Sequence, residues 1–336
     1  MNKKVLITGI TGMVGSHLLD YLFENTDWEI FGLVRWRSPM NNIKGHIQNI
    51  NSKNRVNLVY GDLRDSISLL SALKQIRPDY IFHLASQSNP STSYGSPLET
   101  LDTNVLGTER LLWAARETVP DSLIHVCASS EIFGRTTADK LPIGEECSLN
   151  PVSPYAISKV GTDLIGRYYA DAYGMKILTT RMFSHTGPRR GDVFAESSFA
   201  KQIAMIEAEL LNPVIYVGNL DSVRTWADVR DTVRAYYLLL TKNPQAGEYY
   251  NIGGRYTCTV GDVLKHLLSI SSAKDIKIEV DKQRLRPLDA DLQVPNMEKF
   301  QSHTGWKPII PFEKTMLDLL DYWRDRIRNG ELFLNR

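Results

Sequence analysis

Cysteine is scarce in this chain. Its three cysteines, Cys127, Cys147 and Cys258, are odd in number, far apart and without a Cys-x-x-Cys pair. A disulfide framework and a cysteine zinc site are therefore not expected, and a reducing compartment fits. The seven histidines are too scattered in sequence to propose a metal cluster. Charge of one sign is lacking too: 39 Lys and Arg face 38 Asp and Glu, a net charge of +1. That balance gives no electrostatic footprint for nucleic acid or an anionic membrane, so any phosphate binding must be local. No apolar run approaches the ~20 residues of a membrane span. The basic start "MNKK" is followed only by "VLI" before Thr8 and Gly9, too short for a signal peptide. A soluble, cytoplasmic protein is expected, with no membrane and no metal.

What is present is an ordinary globular composition, 43% hydrophobic and 23% charged over 336 residues, enough for one large or two closely joined domains. "KVLITG", "EIFGLVR", "VNLVYGDL", "DYIFHLA" and "SLIHVCAS" read as buried strands. Between them, "SHLLDYLFEN", "SISLLSALKQI" and "NVLGTERLLWAARE" carry apolar residues at helical spacing. Strands alternating with helices predict an α/β fold, a doubly wound parallel sheet covered on both faces. Further strands, "KILTTRMFS" and "EYYNIGG", follow among loops rich in Pro, Gly and Arg. The expected division is a Rossmann domain over 1–180, with a segment returning near 225–255. Residues 181–336 then form mainly a smaller, interleaved substrate domain.

The stretch "GITGMVG" places Gly9, Gly12 and Gly15 between the first strand and first helix, with Thr11, Met13 and Val14 among them. Small residues let backbone approach a pyrophosphate, which then sits on the helix N-terminus. A tight packing turn would explain one glycine but not three. An NAD site has an acid at the end of the second strand for the ribose hydroxyls; this chain reads "VRWRS". Arg35 and Arg37 suit a 2′-phosphate, which favours NADP; otherwise they are a solvated basic turn. Asp62 and Leu63 end the third strand, where a carboxylate can accept from an adenine amino group. Leu84, Ala85 and Ser86, after the fourth, complete the expected cofactor wall.

"SPYAISK" sets Tyr155 and Lys159 on one helix face. A tyrosine is a poor base at neutral pH, since its pKa is ~10. A neighbouring ammonium, together with a positive nicotinamide, favours the phenolate. "SSEIFG" adds Ser129, Ser130 and Glu131 where an apolar run ends. Hydride transfer to or from a carbinol needs one proton donor; a carboxylate beside it suggests a second proton to move. The alternative is that Glu131 only caps the following turn.

With "TGITGMVG", "GDLRD", "FHLASQS", "NVLGT", "SSEIFG", "SPYAISK" and "VGNLDSVRTWADVRD", essentially the whole chain resembles the extended short-chain dehydrogenase/reductase family. "HTGPRRGDVF", "GNLDSVR" and "TGWKP" are most similar to its GDP-mannose 4,6-dehydratases and GDP-4-keto-6-deoxymannose reductases. The resemblance implies that Ser129, Ser130, Glu131, Tyr155 and Lys159 are catalytic. It implies that His185 and Arg190 contact the cofactor, the arginine reaching across a subunit interface. Gln87, Ser88 and Ser93 would border the sugar, with Ser184 where dehydratases usually have asparagine. Asn219, Arg224, Arg286 and Asp289 would serve the nucleotide end, unless the arginines merely pair with Asp221 or Asp289. The helices from Asn104 to Glu117 and from Tyr155 to Tyr173 would pair with their copies in a homodimer, and Arg190 would make a tetramer. The implied reaction is dehydration of a GDP-hexose or GDP-heptose. The alternatives are 4-keto reduction, epimerisation and, from another class, NADP sensing without chemistry.

Overall fold

The computed structural model describes residues 2–331; Met1 and the last five residues of the expected substrate domain, 332–336, lie outside them. Seven strands form the central sheet, in the order Tyr249–Ile252, Ile177–Met182, Leu123–Cys127, Tyr80–His83, Lys4–Thr8, Glu29–Val34, Val56–Tyr60. Every pairing is parallel. Such strands are buried on both faces, which is why "KVLIT" is apolar almost throughout rather than alternating with charge.

Period two still decides which core each residue joins. Val5 and Ile7 point to one face and pack with Leu18, Leu19 and Leu22 of helix Met13–Asn25 and with Val233 and Tyr236 of helix Val229–Thr241. Leu6 points to the other and packs with Leu69, Leu73, Leu111, Leu112 and Tyr169. Each such side chain buried contributes about 1.5–3 kcal/mol. The chain winds outward from Lys4–Thr8 to Val56–Tyr60, then returns to Tyr80–His83 on the opposite side of the first strand. That reversal opens a crevice at the C-terminal ends of the strands, the usual ligand position in open α/β sheets.

A third core joins helices Ala195–Glu207, Val260–Ser269 and Phe312–Arg328, where Trp323 is fully buried. Strand Val223–Asp228 lies between antiparallel Tyr256–Thr259 and parallel Leu292–Gln293. Strand Val214–Val217 pairs with Lys277–Val280 beside the same helices. No helix among the described residues is long and apolar enough to cross a membrane.

The helix expected from Asn104 is not regular. Residues Asp102–Leu106 form a π-helical turn leading into the α-helix Gly107–Thr118. The turn swings the Asn104 carboxamide inward, where it accepts from the Gln87 N–H at 2.8 Å and donates to Gln87 O and Ser158 Oγ, each at 2.9 Å. Side-chain bonding across elements, which periodicity does not register, sets this geometry.

Candidate active site

At the first crevice wall, Gly9 has φ +72°, and a Cβ there would lie 2.9 Å from Ala85. A Cβ on Gly15 would lie 2.2 Å from Gly9 O, so glycine is required for the helix to sit this close. Gly12 caps helix Met13–Asn25 without a side-chain bond, and the first turn holds no acid. Its free amide donors, with the positive helix end, suit an anion. Gly9, Thr11, Gly12, Met13, Val14 and Gly15 all line one cavity of about 960 Å³.

The two arginines of "VRWRS" part company. Arg35 lines the cavity with Ser38 and Asn42. Arg37 does not; its guanidinium lies over the exposed Trp36 ring, 5.3 Å from the centroid. The chain turns at Arg35, whose N–H donates to Ser38 Oγ at 3.0 Å, and the turn carries Arg37 outward. Asp62 and Leu63 line the same end. Asp62 is bridged by Arg64 at 3.2 Å, a cavity residue not anticipated from the sequence although "GDLRD" contains it. Burial raises the Asp62 pKa, but the bonds from Arg64 outweigh it and leave the carboxyl below its ordinary value. Leu84, Ala85 and Ser86 form the opposite wall; the N–H groups of Leu84 and Ala85 donate to Thr8 Oγ1 at 3.1 and 3.0 Å.

Ser129, Ser130 and Glu131 stand on the turn after strand Leu123–Cys127. Tyr155 is in the first turn of helix Pro154–Tyr173, capped by Ser153, whose Oγ accepts from the Ala156 N–H at 3.0 Å. Burial pushes the Tyr155 phenol well above its usual value, partly offset by a hydrogen bond with Ser129. Lys159 Nζ donates to Cys127 O at 2.8 Å and lies 5.9 Å from the Tyr155 ring centroid; burial lowers its pKa. The carboxylate of Glu131 forms no hydrogen bond among the described residues and lines the cavity, so it does not cap the turn; its backbone is engaged, the N–H donating to Ser129 Oγ at 3.2 Å and the carbonyl accepting from the Gly134 N–H at 3.1 Å.

Ser93, expected at the sugar, is fully buried and does not line the cavity. Its Oγ donates to Pro90 O at 2.6 Å and accepts from the Tyr155 N–H at 3.1 Å, so it fastens helix Pro154–Tyr173 to the short helix Pro90–Gly95. Gln87 and Ser88 do line the cavity. The Gln87 carboxamide is committed to Asn89 and Thr100, which leaves it a loop-shaping role. Asn89, missed in the sequence, reaches across to Val193 O at 3.1 Å.

Ser184, His185 and Arg190 line the cavity opposite Tyr155. His185 Nδ1 meets Phe183 O at 3.0 Å and therefore carries its proton there; burial, with the charge of Arg190, holds its pKa down at about 4. Arg190 is turned into its own chain's cavity, its Nε donating to Glu196 Oε1 at 3.0 Å. Glu196 carries no motif signal and was not anticipated.

At the far end, Asp289 gathers the residues expected at the nucleotide end. Arg224 and Arg286 lie 3.3 and 3.2 Å from its Oδ1, and Asn219 Nδ2 lies 3.4 Å from Oδ2. Asp221 takes no part in this pairing; its N–H donates to Asn219 Oδ1 at 2.9 Å. One carboxylate holding two guanidinium groups side by side leaves a cationic surface matched to a diphosphate.

A model of the GDP-mannose 4,6 dehydratase family matches residues 6–319. The GDP-mannose 4,6 dehydratase 1 of Arabidopsis thaliana is 33% identical over 334 residues, covering 95% of this chain and 89% of that protein. The GDP-6-deoxy-D-mannose reductase of Pseudomonas aeruginosa is 28% identical over 329 residues, covering 98% and 99%. The solved structure of RMD from Pseudomonas aeruginosa, complexed with NADPH, superposes with a TM-score of 0.82 at 27% identity, over 97% of this chain and 100% of that one. The chain thus belongs to the GDP-mannose 4,6 dehydratase family, within the extended short-chain dehydrogenase/reductases.

Proposed function

We propose that this chain is a lyase, an NADP-dependent GDP-sugar 4,6-dehydratase acting on GDP-mannose or a related GDP-hexose or GDP-heptose. The uncapped glycine-loop helix and Arg35 fit the pyrophosphate and 2′-phosphate of NADP. Bound there, the cofactor would accept hydride from sugar carbon 4 and return it to carbon 6. Tyr155 takes the proton of the carbon 4 hydroxyl, with Lys159 and Ser129 favouring its phenolate. The ketone acidifies the hydrogen on carbon 5, which Glu131 removes. Glu131 or Ser130 then protonates the hydroxyl that leaves carbon 6 as water, and when hydride has been returned to carbon 6, carbon 5 regains a proton from solvent while Tyr155 gives up the one it took. Arg224 and Arg286 hold the diphosphate. The division at about residue 180 assigns cofactor binding to the first part and the sugar nucleotide mainly to the second.

The observation that carries this reading is the unpartnered Glu131 carboxylate opening on the cavity shared with Tyr155. A group that takes a proton and then gives one must reach the reacting atoms, and a carboxylate with no competing bond is open to do so. Glu131→Gln keeps size and removes the base. It should still form some NADPH from GDP-mannose in a single turnover, yet lose dehydrated product by ~10² to 10⁴-fold. Exchange of the carbon 5 hydrogen with deuterated water should fall in parallel.

Similarity to the Pseudomonas aeruginosa reductase supports a second reading, 4-keto-sugar reduction. In that case wild type leaves GDP-mannose untouched, and Glu131→Gln barely changes ketone reduction. A homodimer is part of the proposal: Ile157, Leu164 and Tyr168 form an exposed stripe on helix Pro154–Tyr173, and Leu106 of the π-helical turn and Trp113 of helix Gly107–Thr118 are exposed as well.

A further inference from the structure

The cavity continues past the two arginines assigned to the diphosphate. A sugar nucleotide has two ends, and its glycosyl end must reach Tyr155 and Glu131. The nucleoside then lies on the other side of Arg224 and Arg286, where Ser198, Gly218, Gln283 and Arg284 line the wall.

Three elements are fastened together at this corner. Strand Lys277–Val280 runs into a 3-10 turn, Lys282–Arg284, capped by Asp281, whose Oδ1 accepts from the Gln283 N–H at 2.9 Å. The turn packs on the end of strand Val214–Val217, where a Cβ on Gly218 would lie 2.8 Å from Arg284 O. Arg284 Nη1 donates at 3.0 Å to the Oγ of Ser198, in the first turn of helix Ala195–Glu207, and Nε lies 3.4 Å from Asp281 Oδ2. Gln202, one turn on, donates to the same Oγ at 3.2 Å, so the hydroxyl is itself held. Only Leu285 stands between Arg284 and Arg286, and both arginines line the cavity, so they meet neighbouring parts of one ligand.

The unengaged atoms show what this corner receives. Arg284 Nη2 and the Gln283 carboxamide have no hydrogen-bond partner among the described residues. A guanidinium presents its N–H groups as a rigid planar fork, which on a nucleobase matches two adjacent acceptors. Guanine offers O6 and N7 side by side. Adenine and cytosine put an amino group in that place, and uracil or thymine a single oxygen. Guanine also carries N–H donors on its next edge, and a carboxamide oxygen can accept from them.

We propose that Gln283 and Arg284 form the base subsite and select guanine, Arg284 through O6 and N7. This rests on the GDP-sugar reading and adds to it which side chains discriminate the base. Arg224 and Arg286 meet phosphate and treat every nucleoside diphosphate alike. A guanidinium already tied to Ser198 and Asp281 loses little freedom on binding, which favours the complex.

Calorimetric titrations of the full chain, with NADP⁺ saturating the cofactor site, compare GDP, 7-deaza-GDP, ADP and UDP. Wild type should bind GDP most tightly, and 7-deaza-GDP, which lacks the N7 acceptor, more weakly. Arg284→Met keeps the apolar stem and removes the fork. It should lose about 5- to 150-fold in GDP affinity, the worth of one bidentate pair, with ADP and UDP not weakened. In that variant GDP and 7-deaza-GDP should bind alike, since the group that reads N7 is gone. Arg284→Lys should restore little, because an ammonium is a point charge without the fork. Arg286→Met, in contrast, should weaken all four ligands in common. Equal losses of GDP, ADP and UDP in Arg284→Met would make Arg284 a third phosphate contact. A penalty for 7-deaza-GDP that survives in the variant would place N7 elsewhere, and either result overturns the assignment. A wild type that prefers UDP or ADP overturns the GDP-sugar reading together with it. A preference for GDP left unchanged by Arg284→Met overturns the assignment alone.

Discussion

Arg35 and Arg37 are two residues apart, and in an extended strand they would share a face. The strand ends at Val34, and the bond from the Arg35 N–H to Ser38 Oγ turns the chain, so only Arg35 remains on the cavity. Two basic residues were legible in "VRWRS"; which of them faces inward depends on a turn closed by a serine further along. Arg35→Ala should weaken NADP by about 1.5–3 kcal/mol, the worth of a hydrogen bond to a charged group, and NAD much less. Arg37→Ala should change neither. Equilibrium titrations with both cofactors decide it, and equal losses of NADP in the two variants would show that the turn does not discriminate. The residues proposed as catalytic were easier to read, because Tyr155 and Lys159 share a helix face by spacing alone and Ser129 to Glu131 follow an apolar run. Ser93, Arg64 and Glu196 belong to a different kind: their partners lie far away in sequence or form no motif, so nothing local marks their roles.

Helix Pro154–Tyr173 shows the same contrast between elements. Its existence, its start at Pro154 and its stop at Gly174, where φ is +65°, are written locally in cap and turn residues. Its inner face carries Tyr155, Lys159 and the buried Asp163, which pairs with Arg181 at 2.9 Å. Its outer face is not polar as a solvated helix would be: Ile157, Leu164 and Tyr168 are 51%, 47% and 54% exposed. Apolar stripes of this kind on adjoining helices are what a second copy covers. Leu164→Glu places a charge in the centre of the stripe and far from the cavity. It should turn a dimer into monomers by light scattering at micromolar concentration, with little change in the melting of each chain. A wild-type protein already monomeric at that concentration would remove the reason for the stripe. The π-helical turn next to it was not legible, since it follows from where the Asn104 carboxamide finds its partners rather than from the run of apolar residues.

Across the molecule, stability should depend on pH through histidines buried in the core. His17, His83 and His125 are all buried, and desolvation is the largest cause that lowers each. His17 falls from 6.5 to about 4, and His83 and His125 from 6.5 to about 3. Each is held neutral by its place in the core. His83 lies between Thr8 and Thr108, 3.0 Å from both hydroxyls, and His125 meets Thr180 Oγ1 at 2.8 Å against the Tyr236 ring. The unfolded chain accepts a proton on each near the ordinary value, whereas the folded chain refuses it until far lower pH. Their contribution is therefore complete above the unfolded value and is lost as pH falls from 6.5 toward about 4 for His17 and about 3 for the other two. Within that window each histidine tilts stability by up to about 1.4 kcal/mol per pH unit. The depressed carboxyl of Glu207 acts in the same direction, but only below its ordinary 4.5, so between 6.5 and 4.5 the histidines act without it. Urea denaturation from pH 7.5 down to 5.0 should show an unfolding free energy that falls once pH drops through about 6.5. His125→Gln keeps a polar group near Thr180 and removes one proton site. It should be less stable than wild type at pH 7.5, yet its stability should decline more gently on acidification. A wild-type curve that is flat across this interval, or a His125→Gln curve parallel to it, would show that these histidines are not held neutral by burial.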